Sequence, residues 1–444
     1  MYDFLNRIIR YALDSIDPVR LMGENVRLTN HTLDVKDHTI DLEQYRRIHI
    51  IGAGKAAVPM WDGLNRIIGE KIYGGIVVSL EEHRFTDSKV QFFPGSHPVP
   101  DERSLQAGAA VLTYINKHVT GEDLVFFLIS GGASAMMAQP LPGIELQDKI
   151  EINRMLLAAG AEVTETNKVR KRISALKGGK LARLVSPAKV ITLVISDIVN
   201  SPIDAVGSGP SMKDNTTASE AYEILKKYDL LEKLDPRVDS FFKNLIADES
   251  VNKKQEISSE KEDNIHVMLG DIRTAVLAAK HCAHEMGIQA HILTTGDKGE
   301  VSQAAKLYAS FVREIGEYHT PFRPPVLILC GGELTVDLTK SKNNTQGRGG
   351  RNQAFVLHMM DELKDVSFPY IIASIGTDGI DGSSDAAGAW IDNESFTNAF
   401  LLGIDWKHYL DTFDSHHFFE EMEQQIRTGP TGTNVMDLRL FYLS

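Results

Sequence analysis

The chain repeats one pattern that limits its folds more than any other feature: a short apolar run, a turn of glycine, serine or acid, then a helical stretch. Ile48-His49-Ile50-Ile51 leads into Gly52-Ala53-Gly54-Lys55, and Gly75-Ile76-Val77-Val78-Ser79-Leu80 into Glu81-Glu82. Residues 124–129 lead into Ser130-Gly131-Gly132-Ala133-Ser134, and residues 190–195 into Ser196-Asp197. Helical spacing fills the intervals, for example residues 105–119 and 149–161. Runs this short and continuous suit strands buried on both faces, which predicts a parallel, doubly wound sheet. Such sheets bind ligands at the carboxyl ends of their strands, where these glycines and acids fall.

Residues 249–264 break the pattern with a polar, charged stretch lacking apolar periodicity, which reads as an exposed linker. The same grammar then resumes at residues 266–269, 291–295 and 326–330. The expected architecture is α/β and two-lobed. A Rossmann-like nucleotide- or phosphate-binding domain would span residues 1–248 and a second α/β domain residues 265–444. The last strand, 436–443, would lie in the second lobe or return to the first, and the cleft between lobes is the default site.

Composition excludes several classes. The 444 residues are 43% hydrophobic and 24% charged with a net charge of −13, so the chain is globular and has no global attraction for nucleic acid. Its two cysteines, Cys282 and Cys330, lie in apolar surroundings and suit neither a disulfide scaffold nor a zinc cage. Residues 1–21 mix Asp3, Arg7, Arg10 and Asp14 with apolar residues at helical spacing, an amphipathic helix and not a signal peptide. The expectation is a cytoplasmic protein with no membrane or nucleic-acid partner, and a homodimer is compatible with the sequence.

The richest chemistry lies in residues 347–388. Gly347-Arg348-Gly349-Gly350-Arg351-Asn352-Gln353 runs into a helix, and the strand at 370–375 ends in Gly376-Thr377-Asp378-Gly379-Ile380-Asp381-Gly382, followed by Asp385. Glycines let backbone N–H groups approach an anion, and arginines add fork geometry. Carboxylates at a strand end can hold Mg2+ or orient a hydroxyl. A cationic loop beside an acidic one is what phosphoryl transfer requires, since its catalysis is positioning and charge neutralisation.

The remaining motifs carry competing readings. Gly52-Ala53-Gly54-Lys55-Ala56-Ala57 fits G-x-G-x-x-A after a strand, yet a tight turn without ligand is as good a reading, and Glu81 or Glu82 falls late for a ribose partner. Gly178-Gly179-Lys180 is followed by Leu181, so no Walker A motif is present. The turn Ser130, Gly131, Gly132, Ser134 suits an anion better than a serine nucleophile, because G-x-S-x-G is absent. Residues 167–183 hold seven cations and no acid; most are expected on a solvated helix face. Lys177-Gly178 is the exception, expected near nucleotide phosphates. Asp197 reads as metal ligand, general base or ordinary turn residue, Asp101 as a helix cap, and His97 as a substrate contact or a packing residue.

Taken in order, I-G-A-G-K-A-A, G-S-H-P-V-P-D-E, I-S-G-G-A-S-A, the run 167–182, S-D-I-V-N-S-P-I-D-A-V-G-S-G-P, G-G-E-L-T-V, G-R-G-G-R-N-Q, G-T-D-G-I-D-G-S-S-D-A-A-G-A and T-G-P-T-G-T-N-V-M-D-L resemble the glycerate 2-kinase family, whose C-terminal part is the MOFRL domain. The resemblance implies transfer of the γ-phosphoryl of ATP, with Mg2+, to the 2-hydroxyl of D-glycerate. It departs at Arg172, where the family has histidine, at Ala133 for glycine, at Ala354 for glutamate, and in a longer loop at 340–346. Carried onto this chain, Lys55, Arg351, Asp197 and Asp378 are the expected catalytic residues, with Asp197 and Asp378 as metal ligands. Ser130, Gly131, Gly132, Ser134, Lys177 and Gly178 would bind ATP; Gly54, His97, Arg172, Arg351 and Asn352 would bind substrate. A hydroxypyruvate reductase using NAD(P)H, a noncatalytic sugar-phosphate binder and a kinase of another small hydroxy acid are the alternatives.

Overall fold

The apolar runs followed by glycine turns become strands, most of them buried, in the computed structural model, which describes residues 2–80, 89–200, 203–252, 264–338 and 347–444; the run at 291–295 is the exception, in a strand that is largely half-buried. Glu81, Glu82, most of the expected linker and the loop 340–346 lie outside the described residues. Two compact units emerge: Leu21–Ser196 with Ser201–Leu269, and Met1–Arg20 with Asp197–Asn200 and Gly270–Ser444.

The first unit opens with a small antiparallel sheet of β1 (Val26–Thr29), β2 (Thr32–Val35) and β3 (His38–Asp41). Its main sheet contains β4 (Ile48–Ala53), β5 (Ile72–Ser79), β6 (Val90–Pro94), β7 (Leu124–Ser130), β8 (Lys189–Ile195) and β9 (Ile265–Gly270). These lie in the order β6-β5-β4-β7-β8-β9, with parallel pairing from β6 through β8. Numbered by appearance in that sheet, the order is 3-2-1-4-5-6, the doubly wound arrangement. Every residue of β4 and β7 is buried, so these strands carry no alternation of polar and apolar side chains.

The second unit departs from the expected grammar. Its strands are β10 (Gln289–Glu300), β11 (Val326–Thr335), β12 (Tyr370–Gly376), β13 (Gly388–Asp392), β14 (Gln425–Ile426) and β15 (Asp437–Leu443), in the order β10-β11-β15-β12-β13-β14. Only β10 and β11 run parallel; β15 pairs antiparallel with both β11 and β12. Apolar runs reveal burial but not strand direction, so the mixed sheet was invisible in sequence. The last strand therefore sits in the middle of the second sheet.

The expected boundaries also shift. The helix Tyr2–Asp14 buries Leu5, Ile8, Ile9 and Ala12, and its Phe4 ring meets Tyr442 of β15 at 4.7 Å. The spacing of those four residues is one helical face, and burying it ties the N-terminus to the second unit. β9, expected to open the second lobe, completes the parallel sheet of the first. Among the described residues, no helix is long and apolar enough to cross a membrane.

Candidate active site

The strand order of the parallel sheet reverses between β4 and β7, and the two glycine turns that follow these strands interlock there. Gly54 has φ +127°, and a Cβ on it would lie 2.3 Å from Ser130 Oγ. Ser130 Oγ accepts the Ala56 N–H at 2.9 Å, while the Lys55 N–H donates to the Gly131 carbonyl at 2.9 Å. Only glycine satisfies both the backbone angle and the approach at position 54. Gly132, φ +84°, faces the two remaining groups: a Cβ there would lie 3.1 Å from His97 Cδ2 and 3.5 Å from Lys55 Cγ. The fold thus brings Gly54, Lys55, His97, Ser130, Gly131 and Gly132 together. Loss of solvation, then the Lys55 ammonium, push the His97 pKa down, though His97 is exposed as a residue, which limits that shift. Asp101 does cap the helix Glu102–His118, accepting the Arg103 and Ser104 N–H groups.

Ser134 and Lys177 meet directly, with Lys177 Nζ donating to the Ser134 carbonyl at 2.5 Å. Ser134 Oγ lies 3.2 Å from Ser208 Oγ, which donates to Asn167 Oδ1 at 3.0 Å. Gly178 takes φ +61°, and a Cβ there would lie 3.0 Å from Asp214 Oδ2.

The expectation of a solvated face for the cationic run is overturned. Of its seven cations only Arg183 is exposed; Lys171 and Lys177 are buried and the others half-buried. The helix Val163–Arg172 packs against neighbouring helices on more than one face, so charge runs inward as well as outward. Arg172, expected at the substrate, is held by the Asp214 carboxylate and by Glu249 Oε1 at 2.9 Å. Glu249 is thereby part of the helix Pro236–Asn252 and not of a linker, and its second oxygen accepts the Ala218 N–H.

In the mixed-sheet unit the expected anion cradle is filled by the protein itself. The helix Arg351–Glu362 starts at Gly350, and Asp381 receives its Asn352 and Gln353 N–H groups at 3.0 and 2.8 Å. A helix N-terminus already carrying a carboxylate offers little to an external anion. Asp381 is fully buried; burial raises its pKa to about 6 against these donors, with Asp437 adding to the rise. Arg351 makes a bidentate pair with Asp437 at 2.7 and 3.0 Å and a third contact to Glu333 at 2.7 Å. Burial works against the charge of this guanidinium, but Asp437 and Glu333 more than offset it and hold it firmly protonated. Asn352 donates to both Asp381 and Asp437 and accepts from Ser374 Oγ. Arg439 completes the network, bonding Asp297 at 3.0 Å and Asp437 at 3.2 Å with its guanidinium 5.3 Å from the Phe355 ring centre. Asp437, Arg439, Asp297 and Glu333 went unnoticed as site residues. The signal was present in β15, where Asp437 and Arg439, two apart and on one strand face, interrupt an apolar run.

Asp378 is half-buried beside this network; it accepts the Ile380 N–H and the Asn434 side-chain amide, each at 3.3 Å. Asp197, also half-buried, follows Ser196 after β8 but groups with the mixed-sheet unit, not with the parallel one as expected. Asp381 and Asp437 are engaged by amide and guanidinium donors, which makes them poor ligands for a cation. Asp378, which lies at the end of β12 and outside those arginine pairs, is the better fit. A hard oxygen donor of this kind suits Mg2+, which needs only one or two carboxylates beside phosphate and water.

Two family models cover most of the chain: the domain of unknown function DUF4147 matches residues 4–243 and the MOFRL family residues 326–437. A protein from Pyrococcus horikoshii named glycerate 2-kinase is 32% identical over 97% of this chain and 94% of its own length. One from Agrobacterium vitis, provisionally named hydroxypyruvate reductase, is 35% identical over 88% of this chain and 98% of its own. The crystal structure of glycerate kinase from Thermotoga maritima superposes with a TM-score of 0.83 at 30% identity, covering 100% of this chain and 99% of that one. With its parallel-sheet unit matched by the first model and its mixed-sheet unit by the second, the chain belongs to the glycerate 2-kinase family of DUF4147–MOFRL proteins.

Proposed function

We propose that this protein is a glycerate 2-kinase that transfers the γ-phosphoryl group of ATP to the 2-hydroxyl of D-glycerate, yielding 2-phosphoglycerate. The observation that carries the reading is the interlocked turn pair at the strand-order reversal. A dinucleotide would need the backbone donors of the Gly52–Ala57 turn for its pyrophosphate. Here the Lys55 and Ala56 N–H groups are spent on Gly131 and Ser130, which leaves the turn to present Lys55 and its neighbour His97. A cation presented from such a turn suits a transferable phosphoryl group.

In this reading the 130–134 turn with Lys177 and Gly178 holds the ATP phosphates, and Lys55 stabilises charge on the group in flight. Arg351, kept protonated by its acids, is the catalytic cation of the mixed-sheet unit, and Asn352 fixes its orientation through the shared Asp437 carboxylate. Asp378 and Asp197 would hold Mg2+, which would offset charge on the phosphates; one of the two would orient the glycerate hydroxyl. Arg172, engaged by two acids, acts as a strut of the parallel-sheet unit and not as a substrate ligand.

The test uses purified protein with ATP, Mg2+ and D-glycerate, identifying products, beside NADH with hydroxypyruvate. ADP and 2-phosphoglycerate are expected, with turnover abolished by EDTA. Consumption of NADH without ADP formation would overturn the reading.

A further inference from the structure

Three cations of the parallel-sheet unit, the buried Lys149 and Lys177 and the half-buried Arg170, have no acid beside them among the described residues. Lys149 comes from the helix Leu146–Ala158, Arg170 from the helix Val163–Arg172, and Lys177 from the turn that follows. Lys149 is 5% and Lys177 2% exposed, and Lys149 lies one helical turn before Asn153, the residue that Arg170 binds. Among the described residues Lys149 Nζ has no hydrogen-bond partner, and neither has the buried Thr166 Oγ1 one turn before Arg170. Among the described residues Arg170 bonds the neutral Asn153 side chain alone. The nearby acids are committed elsewhere: Asp214 to Lys171 and Arg172, Glu249 to Arg172, and Asp148 to Arg237. Among the described residues, no carboxylate forms an ion pair with Lys149, Arg170 or Lys177.

Like charges buried side by side repel and have lost their solvation, an arrangement that a fold retains at a cost. Burial accordingly pushes Lys149 down to about 8 and Lys177 well below its ordinary value. A phosphate group supplies what is missing, with two negative charges and several acceptor oxygens for two ammonium groups, a guanidinium and a hydroxyl. Lys177 also bonds the Ser134 carbonyl, which anchors the cluster to the 130–134 turn.

We propose that Lys149, Arg170, Lys177 and Thr166 form a second-layer oxyanion pocket that receives a phosphate group. Its occupant as part of ATP rests on the kinase reading above; free phosphate has the same chemistry. The pocket would draw the nucleotide tail toward Ser134, and Lys149 is then a further binding residue absent from the sequence expectations.

The test titrates the full chain with ADP and with inorganic phosphate by calorimetry, using chloride at matched ionic strength as control. Variants are Lys149→Met, Lys149→Arg and Thr166→Val. Lys149→Met is expected to weaken binding about 10- to 100-fold, Lys149→Arg to retain most of it, and Thr166→Val to lose a smaller share. The apo unfolding midpoint of Lys149→Met should equal or exceed that of the parent, because an unpaired buried charge is removed. Loss confined to ADP assigns the pocket to nucleotide, and loss confined to inorganic phosphate assigns it to free phosphate; either supports it. Unchanged binding of both ligands in folded Lys149→Met, or failure of the parent to bind either, overturns it. If Lys149→Met does not fold, unchanged binding by Thr166→Val together with lost binding by Lys149→Arg overturns it as well. ADP formation from ATP and D-glycerate by the parent is scored separately. Turnover with an unaffected Lys149→Met sinks the pocket alone, whereas phosphate binding without turnover sinks the kinase reading alone.

Discussion

Two largely buried charged clusters differ in how their charge is balanced. In the mixed-sheet unit Arg351 and Arg439 face Asp437, Glu333 and Asp297, and almost every donor has an acceptor near 3 Å. In the parallel-sheet unit Lys149, Arg170 and Lys177 have carbonyl and amide oxygens or nothing at all. The first cluster is complete and holds strands, helix start and arginine in one geometry. The second has no carboxylate partner among the described residues. Pre-organised catalytic groups need the first kind of surroundings, and ligand pockets the second.

The strongest way to break this contrast is Asp437→Ala. It strips a 0% exposed acid from Arg351, Asn352 and the equally buried Arg439, which should cost about 3–5 kcal/mol in denaturant unfolding. A loss below 1 kcal/mol would show that the network is not the anchor described. Next, Lys55→Ala should lower turnover on the order of 100-fold at unchanged melting temperature, while Arg351→Ala should lower both turnover and stability. Equal stability of those two variants would erase the distinction between a presented cation and an embedded one.

A pH experiment reads Asp381. Its pKa is raised from 3.8 to about 6, so the stability it contributes is full below about pH 4 and is lost as pH rises through 6. Between pH 4 and 7 the parent should lose on the order of 2 kcal/mol relative to Asp381→Asn, which cannot ionise. Parallel stability curves would contradict the assigned burial. The smallest effect is expected from Asp385→Asn. Asp385 sits in solvent between Arg348 and Arg427, so the unfolding midpoint should stay put.

Much of the parallel-sheet unit was legible in sequence because its signals are local. An apolar run with a glycine after it marks a buried strand and its turn, and Gly54 or Gly132 advertises a backbone that side chains would block. The cationic run 167–183 was legible only as composition. Which of its side chains turn inward depends on helices packed against it from elsewhere in the chain. The loop at 347–352 misled for the same reason: its glycines and arginines fit an external anion, and nothing local showed that Asp381 and Asp437 already serve them.

The sequence by itself determined the α/β class, the strand-end turns and the residue types able to handle phosphate, since these depend on spacings of a few residues. Tertiary structure alone decided the direction of β15, its place at the centre of the second sheet and the attachment of the N-terminal helix. It also decided which cations meet an acid. Charge balance is set by contacts between residues such as Arg351 and Asp437, or by their lack at Lys149, and those separations in sequence leave no local trace.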